Sequence, residues 1–136
     1  MKLIDIESGT IVRLPDSLNW VDEMSWVPVV TNYAYSLTGA LIVDTGAKQK
    51  GRPITLEPPG EDMGWVRRSA AMQLHAWAQT PARKMQLVLE YPDDIRQFVV
   101  MFRHSETAIE SKPVKGFPEP TPDAWYTIAL RLIEVE

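Results

Sequence analysis

The sequence contains no cysteine. Disulfides, zinc sites built on thiolates and cysteine nucleophiles are therefore excluded. It holds only two histidines, His75 and His104. Neither has a second histidine or an acid at a metal-ligand spacing, such as four residues on along a helix, so both are read as structural. Positive charge is also short: 14 Lys and Arg face 18 Asp and Glu, for a net charge of −4. The cations form no basic face, which argues against duplex DNA binding through phosphate neutralisation. No stretch approaches the roughly 20 apolar residues that span a bilayer. The opening "MKLIDIESG" places Asp5 and Glu7 where a secretion signal needs an apolar run. The expectation is a protein made in the cytoplasm, with no membrane association of its own. No internal repeat appears.

Apolar residues make up 45% of the 136, with five Trp, enough for one globular core. One domain over residues 1–136 is expected. "MKLIDI" and "TIVRLP" read as two short strands around a turn at Ser8-Gly9. "DSLNWVDEMSWVP" reads as a connection anchored by Trp20 and Trp26. In "NYAYSLTGALIVD", Tyr33, Tyr35, Leu37, Leu41 and Val43 share one parity and so one strand face. Thr38-Gly39 is a hairpin turn or a bulge. "RPITLEP" alternates as a strand that starts, or lies at an edge, at Pro53.

"PPGEDMGWVRRSAAMQLHAWAQTP" predicts the one good helix, with Val66, Ala70, Leu74, Trp77 and Ala78 as its apolar stripe. Asp62 sits near its positive end and Pro81 stops it. "RKMQLVLEYPDDIRQFVVMFRH" predicts a hairpin. Met85, Leu87, Leu89 and Tyr91 share a face, as do Phe98, Val100 and Phe102, and Pro92-Asp93-Asp94 turns the chain. Asp93 and Asp94 could hold a cation, but the turn accounts for them. "SKPVKGFPEPTPD" predicts a stiff, extended loop rather than an element. "WYTIALRLIEVE" closes the chain with Tyr126, Ile128, Leu130 and Leu132 inward. The fold class expected is mainly β, a β-sandwich or barrel with one flanking α-helix.

From Gly51 onward, "GRPITLEPPG", "AMQLHAWAQT", "LVLEYPDDIRQFVVMFRH" and "DAWYTIALRLIEV" resemble in layout the tail-tube and distal-tail proteins of long-tailed bacteriophages. The same fold recurs in tail-terminator and baseplate ring proteins. The resemblance implies a tail-tube-like virion structural subunit and no enzyme. It implies self-association into a ring, usually six-fold, stacked on neighbouring tail proteins around the DNA channel. An acidic chain suits such a channel, because its charge repels phosphate. No cofactor, metal, small-molecule substrate, membrane or specific nucleic-acid partner is expected.

Because this family works through surfaces, the candidate residues are interface ones. Lys48, Lys50 and Arg52 form a small basic loop. Val114, Phe117 and Trp125 belong to or adjoin the proline-rich loop, where Phe117 is a natural anchor for a pocket next door. An alternative starts from "ALIVDTGA", which resembles the active-site segment of retropepsins. It implies a homodimeric aspartic protease with Asp44 as catalytic carboxylate on a tight loop shaped by Thr45 and Gly46. The later apolar pair with glycine and the glycine-rich flap of that family are missing: after Gly64 the only glycine is Gly116. A further alternative is a cellular β-sandwich interaction module.

Overall fold

The structure is a computed structural model that describes residues 1–60, 62–116 and 118–136. Strands β1 (Lys2–Asp5) and β2 (Ile11–Arg13) form the first antiparallel hairpin. Gly9 takes φ +72° in its turn, and its N–H donates to the Asp5 carbonyl at 2.8 Å. Strand β3 (Asn19–Trp20) is short. Strands β4 (Val29–Tyr35) and β5 (Leu41–Ala47) pair only with each other. Next come β6 (Pro53–Glu57), β7 (Trp65–Arg67) and helix α1 (Arg68–Ala78). Strands β8 (Met85–Tyr91), β9 (Asp94–Phe102), β10 (Ile109–Pro113) and β11 (Trp125–Glu134) complete the described elements.

Strand β11 organises the main sheet. Its first half pairs with β10 and β7, and its second half with β9 and β6. Leu130 lies opposite both Ile109 and Leu56, so β10 and β6 run along opposite edges of β11. Each edge therefore carries one broken partner strand. The first break lies between Glu57 and Trp65 and the second between Phe102 and Ile109. The hydrogen-bonded path is β2-β1-β8-β9-β11-β6-β3, and every pair is antiparallel. The protein is thus mainly β, with a large antiparallel sheet and one helix, as its patterning leads one to expect. The sheet curls enough for Trp20 of β3 to meet Phe98 of β9 edge-on at 5.5 Å. Strand spacing of about 4.8 Å would hold these two strands much further apart in a flat sheet.

The helix departs from its sequence reading. It starts at Arg68 rather than near Gly60, and Trp65–Arg67 is strand β7. Gly64 explains the change. Its φ is +75°, and a Cβ there would lie 2.7 Å from Pro58 Cβ. This tight left-handed residue turns the chain onto β11, where Val66 pairs with Tyr126. Val66 is buried, but as a strand residue, and no acid lies in the helix's first turn. The helix's inward face is Ala71, Leu74 and Trp77, with Ala70 and Ala78 half-buried beside them.

The second departure concerns residues 109–113. They form β10 instead of opening the proline-rich loop, since their backbone finds a ladder along β11. Ile109 is buried there. The hairpin β8–β9 agrees with its reading, except that Asp94 already pairs with Tyr91 inside the ladder.

Helix α1 touches β2, β7, β10 and β11. His75 Nε2 lies 2.9 Å from Ser111 Oγ of β10, and His104 Nε2 donates to the Ala78 carbonyl at 2.6 Å. Both histidines thus tie the helix to its surroundings. The core centres on Leu3, Ile54, Leu56, Leu74, Leu87, Leu89, Leu130 and Leu132, all fully buried. Trp77 is 3% exposed within it. Trp77→Ala is expected to cost about 3–5 kcal/mol in denaturant titration. A loss below about 0.5 kcal/mol would mean that this face of α1 carries no packing.

Among the described residues one charged side chain, Asp5, is buried outright. Asp5 accepts from Arg83 Nε at 3.0 Å, from Arg83 Nη2, and from Ser8 Oγ at 2.5 Å. The Arg83 hydrogen bonds lower its pKa from 3.8 to about 2, against the opposing effect of burial. A depressed carboxylate pKa stabilises the fold above the unfolded value and loses that effect as pH falls through the folded value. Between pH 6 and pH 2 the stability gap between wild type and Asp5→Asn should therefore shrink by about 2 kcal/mol. Urea titrations at both pH values test this; a constant gap would show that Asp5 titrates as it does unfolded.

Candidate functional site

The feature that stands out is the β4–β5 hairpin, an arm separate from the main sheet. Its register places Tyr33 opposite Val43 and Tyr35 opposite Leu41, with Thr31 opposite Thr45. These residues share one face, as their parity implies. The Thr38-Gly39 alternative resolves as a turn: Gly39 takes φ +85°, and Ser36 N–H donates to the Ala40 carbonyl at 2.8 Å. The shared face is not core, however. Tyr33 is 69% and Tyr35 75% exposed, and Leu37 at the tip is fully exposed. Leu41, Ile42 and Val43 are each about half exposed. From Val29 to Ala47 the only charged residue is Asp44. Alternation set the face, but it carries no information about which surface covers that face.

The arm has a firm foot. Lys48 N–H donates to the Pro28 carbonyl at 2.9 Å, closing its neck. Gly51 N–H donates to the Glu134 carbonyl and Glu134 N–H to the Arg52 carbonyl, both at 2.9 Å, so the return leg is bound to β11. The Arg52 guanidinium lies 5.0 Å from the Trp26 ring centre and 6.0 Å from that of Trp20. On Trp20 also sits Arg96, at 5.2 Å, which pairs with Glu23 at 2.8 Å and Asp94 at 2.9 Å. The result is an alternating stack of Trp26, Arg52, Trp20 and Arg96. Asp22 adds a second clamp: its carboxylate accepts from Thr55 N–H at 2.9 Å and from Thr55 Oγ1 at 2.8 Å.

The basic loop is thus split in role. Arg52 belongs to the stack, Lys48 lies 6.0 Å from the Trp26 ring centre, and Lys50 is exposed. An arginine flanked by tryptophans at distant positions could have suggested such stacking, but sequence gives no way to pair them.

The remaining candidates gather elsewhere. Trp125 is 41% exposed, lies 6.2 Å from Trp65, and carries the Arg67 guanidinium over its ring at 3.7 Å. Val114 is half-buried beside them, and an open groove runs between these rings and Pro118, Glu119 and Thr121. The structure brings Val114 and Trp125 together: Val114 N–H donates to the Trp125 carbonyl at 3.0 Å. Phe117 lies outside the described residues.

Asp44 occupies the middle of β5, opposite Asn32, and Thr45 and Gly46 continue the strand. Strand β4 supplies β5 with partners as far as Ala47, so no loop forms here. The tight loop that an aspartic-protease carboxylate needs is therefore not present at this position. Asp93, at φ +60°, forms the β8–β9 turn, and Asp94 faces Arg96. Among the described residues no group of three or more His, Asp or Glu is placed to hold a metal ion. None of their helices is long and apolar enough to cross a membrane. Comparison with protein-family models, with curated proteins and with solved structures finds no match.

The stack at the arm's foot generates a measurable expectation. Arg52→Ala should lower stability by about 1 kcal/mol, within the range of a partly buried cation–aromatic contact. It should also shift tryptophan emission to the red as Trp20 and Trp26 gain water. An unchanged spectrum and unchanged stability would show that the stack contributes nothing.

Proposed function

We propose that this chain is a structural subunit that assembles with copies of itself through the β4–β5 arm. The particle that fits best is a ring of the tail or baseplate of a long-tailed bacteriophage, stacked on other tail proteins around the DNA channel. The observation that carries the reading is the arm's surface: an exposed two-stranded sheet with one apolar face and a single charge between Val29 and Ala47. An isolated hairpin of this kind is marginal in water. Solvated edge strands are normally blunted by charge, proline or short length; this arm has two seven-residue strands, no proline and one charge, Asp44. Its tyrosines are the residue type favoured at interface cores.

A self-docking arm makes a heterologous contact unless it meets its own counterpart across a two-fold axis. Heterologous contacts that close give rings. The resemblance in layout from Gly51 onward supports the phage setting, and the net charge of −4 suits a channel that must let DNA slide. The reading assigns no chemistry to any side chain.

The neck defines the test. Since Pro28 and Lys48 are hydrogen-bonded neighbours, residues 29–47 can be replaced by a short Gly-Ser turn without stretching the foot. The armless protein should keep its circular dichroism spectrum and its core stability but remain monomeric by mass photometry. The intact chain should form a discrete ring visible by negative-stain microscopy. Equal assembly of the armless and intact proteins would reject the arm, and a chain that stays monomeric with and without tail proteins would reject the ring.

A further inference from the structure

Helix α1 buries Ala71, Leu74 and Trp77, and one of its flanks stays open. A cleft of about 380 Å³ runs along that flank against β10 and β11. Its helix side is a single stripe, Arg68, Met72, His75 and Gln79, at steps of three and four. Ser111 and Tyr126 form its sheet side. Two hydrogen-bonded pairs bridge helix and sheet. The Arg68 Nη1 donates to the Tyr126 hydroxyl at 2.5 Å, and His75 Nε2 lies 2.9 Å from Ser111 Oγ. On the helix these pairs are about 10 Å apart, and the surface between them is apolar, from Ala71, Met72 and Ala76.

The charge in this cleft is one-sided. Arg68 is the one permanently charged side chain among the described lining residues, and no carboxylate lies with it. Elsewhere the arginines are compensated. Arg13, Arg83, Arg96, Arg103 and Arg131 each pair with a carboxylate. Arg52 and Arg67 rest on tryptophan rings at 5.0 and 3.7 Å. Among the described residues Arg68 has no ion-pair partner, and only the Tyr126 ring, at 5.5 Å, lies near its guanidinium. It is half-buried, it is the first residue of α1, and no acid occupies that helix's first turn. A cation there adds to the positive end of the helix dipole, so an anion beside it is favoured twice over.

We infer that this cleft binds a small aliphatic carboxylic acid. Its carboxylate sits on Arg68 and the Tyr126 hydroxyl, and its hydrocarbon body lies along Met72, Ala71 and Ala76 toward the Ser111–His75 pair. The Tyr126 hydroxyl accepts from Arg68 and keeps its own proton to donate. A carboxylate against both groups thus receives charge-assisted hydrogen bonds, the strong kind. The apolar stretch selects an organic acid over inorganic phosphate, which has nothing to place there. The volume falls in the lower part of the range for small-molecule sites, roughly 300–1,000 Å³. The site uses no residue of the β4–β5 arm and stands apart from the assembly reading.

Saturation-transfer NMR on the full chain tests the assignment, with hexanoate and hexanol as probes and inorganic phosphate as competitor. Hexanoate should give saturable transfer, hexanol should bind at least about tenfold more weakly, and an equal concentration of phosphate should leave the hexanoate signal in place. Arg68→Gln should weaken hexanoate about tenfold, the effect of losing one charged hydrogen-bonding partner. Met72 is 56% exposed, so substitution there leaves the core untouched. One turn from Arg68, Met72→Glu supplies a carboxylate in the ligand's place and should weaken hexanoate by a similar factor, whereas Met72→Gln should not. No saturable transfer from hexanoate would overturn the site. So would equal binding of hexanol, or hexanoate binding that survives both Arg68→Gln and Met72→Glu. Displacement of hexanoate by an equal concentration of phosphate would overturn the organic acid in favour of a bare oxyanion.

Discussion

The shared pairing of β11 is the constraint on which the rest of this structure depends. A single ten-residue strand satisfies four other strands, two along each edge. Its inward residues Ile128, Leu130 and Leu132 are almost wholly buried. Because β6 and β7 must both align with it, the chain between them has to be absorbed as an excursion. The same holds for β9 and β10. Gly64 and Arg131 mark these two seams. Gly64, at φ +75°, passes so close to Pro58 that a Cβ there would lie 2.7 Å from its Cβ. Arg131 holds the second seam, since its N–H donates to Ala108 and its carbonyl accepts from Arg103, both at 2.9 Å. Register along β11 also positions the foot of the arm, through Glu134 and Arg52.

Local pattern made much of this legible. The β8–β9 hairpin is readable because proline and aspartate at its turn and strict alternation on both strands point the same way. The closing strand is readable for the same reason. The start of the helix is not, because the stripe through Val66 fits helical spacing and its true role depends on pairing with a strand 60 residues away. Likewise Ser111 and Lys112, beside Pro113, look like loop residues until β11 offers them a ladder. Long-range pairing overrides local preference in both places.

At the candidate site the division is sharper. The parity of Tyr33, Tyr35, Leu41 and Val43 identifies a face from sequence, but an apolar face in a monomer's sequence looks the same whether its cover is intramolecular or comes from another chain. Only the absence of a packing partner in three dimensions separates the two. The roles of Arg52 and Arg96 were equally hidden: each sits on Trp20, and no spacing rule brings residues 20, 26, 52 and 96 together.

The neck of the arm has a consequence for how such a subunit can diversify. One hydrogen bond between Pro28 and Lys48 separates a hairpin with its own ladder from a core that makes no use of its length. Adding two residues to each strand would extend the reach by about 7 Å and keep the tyrosine face in place. Adding one to each would turn that face over. The arm is therefore a ruler graduated in steps of two residues, and the distance to a neighbour can drift over generations without disturbing the core that carries it.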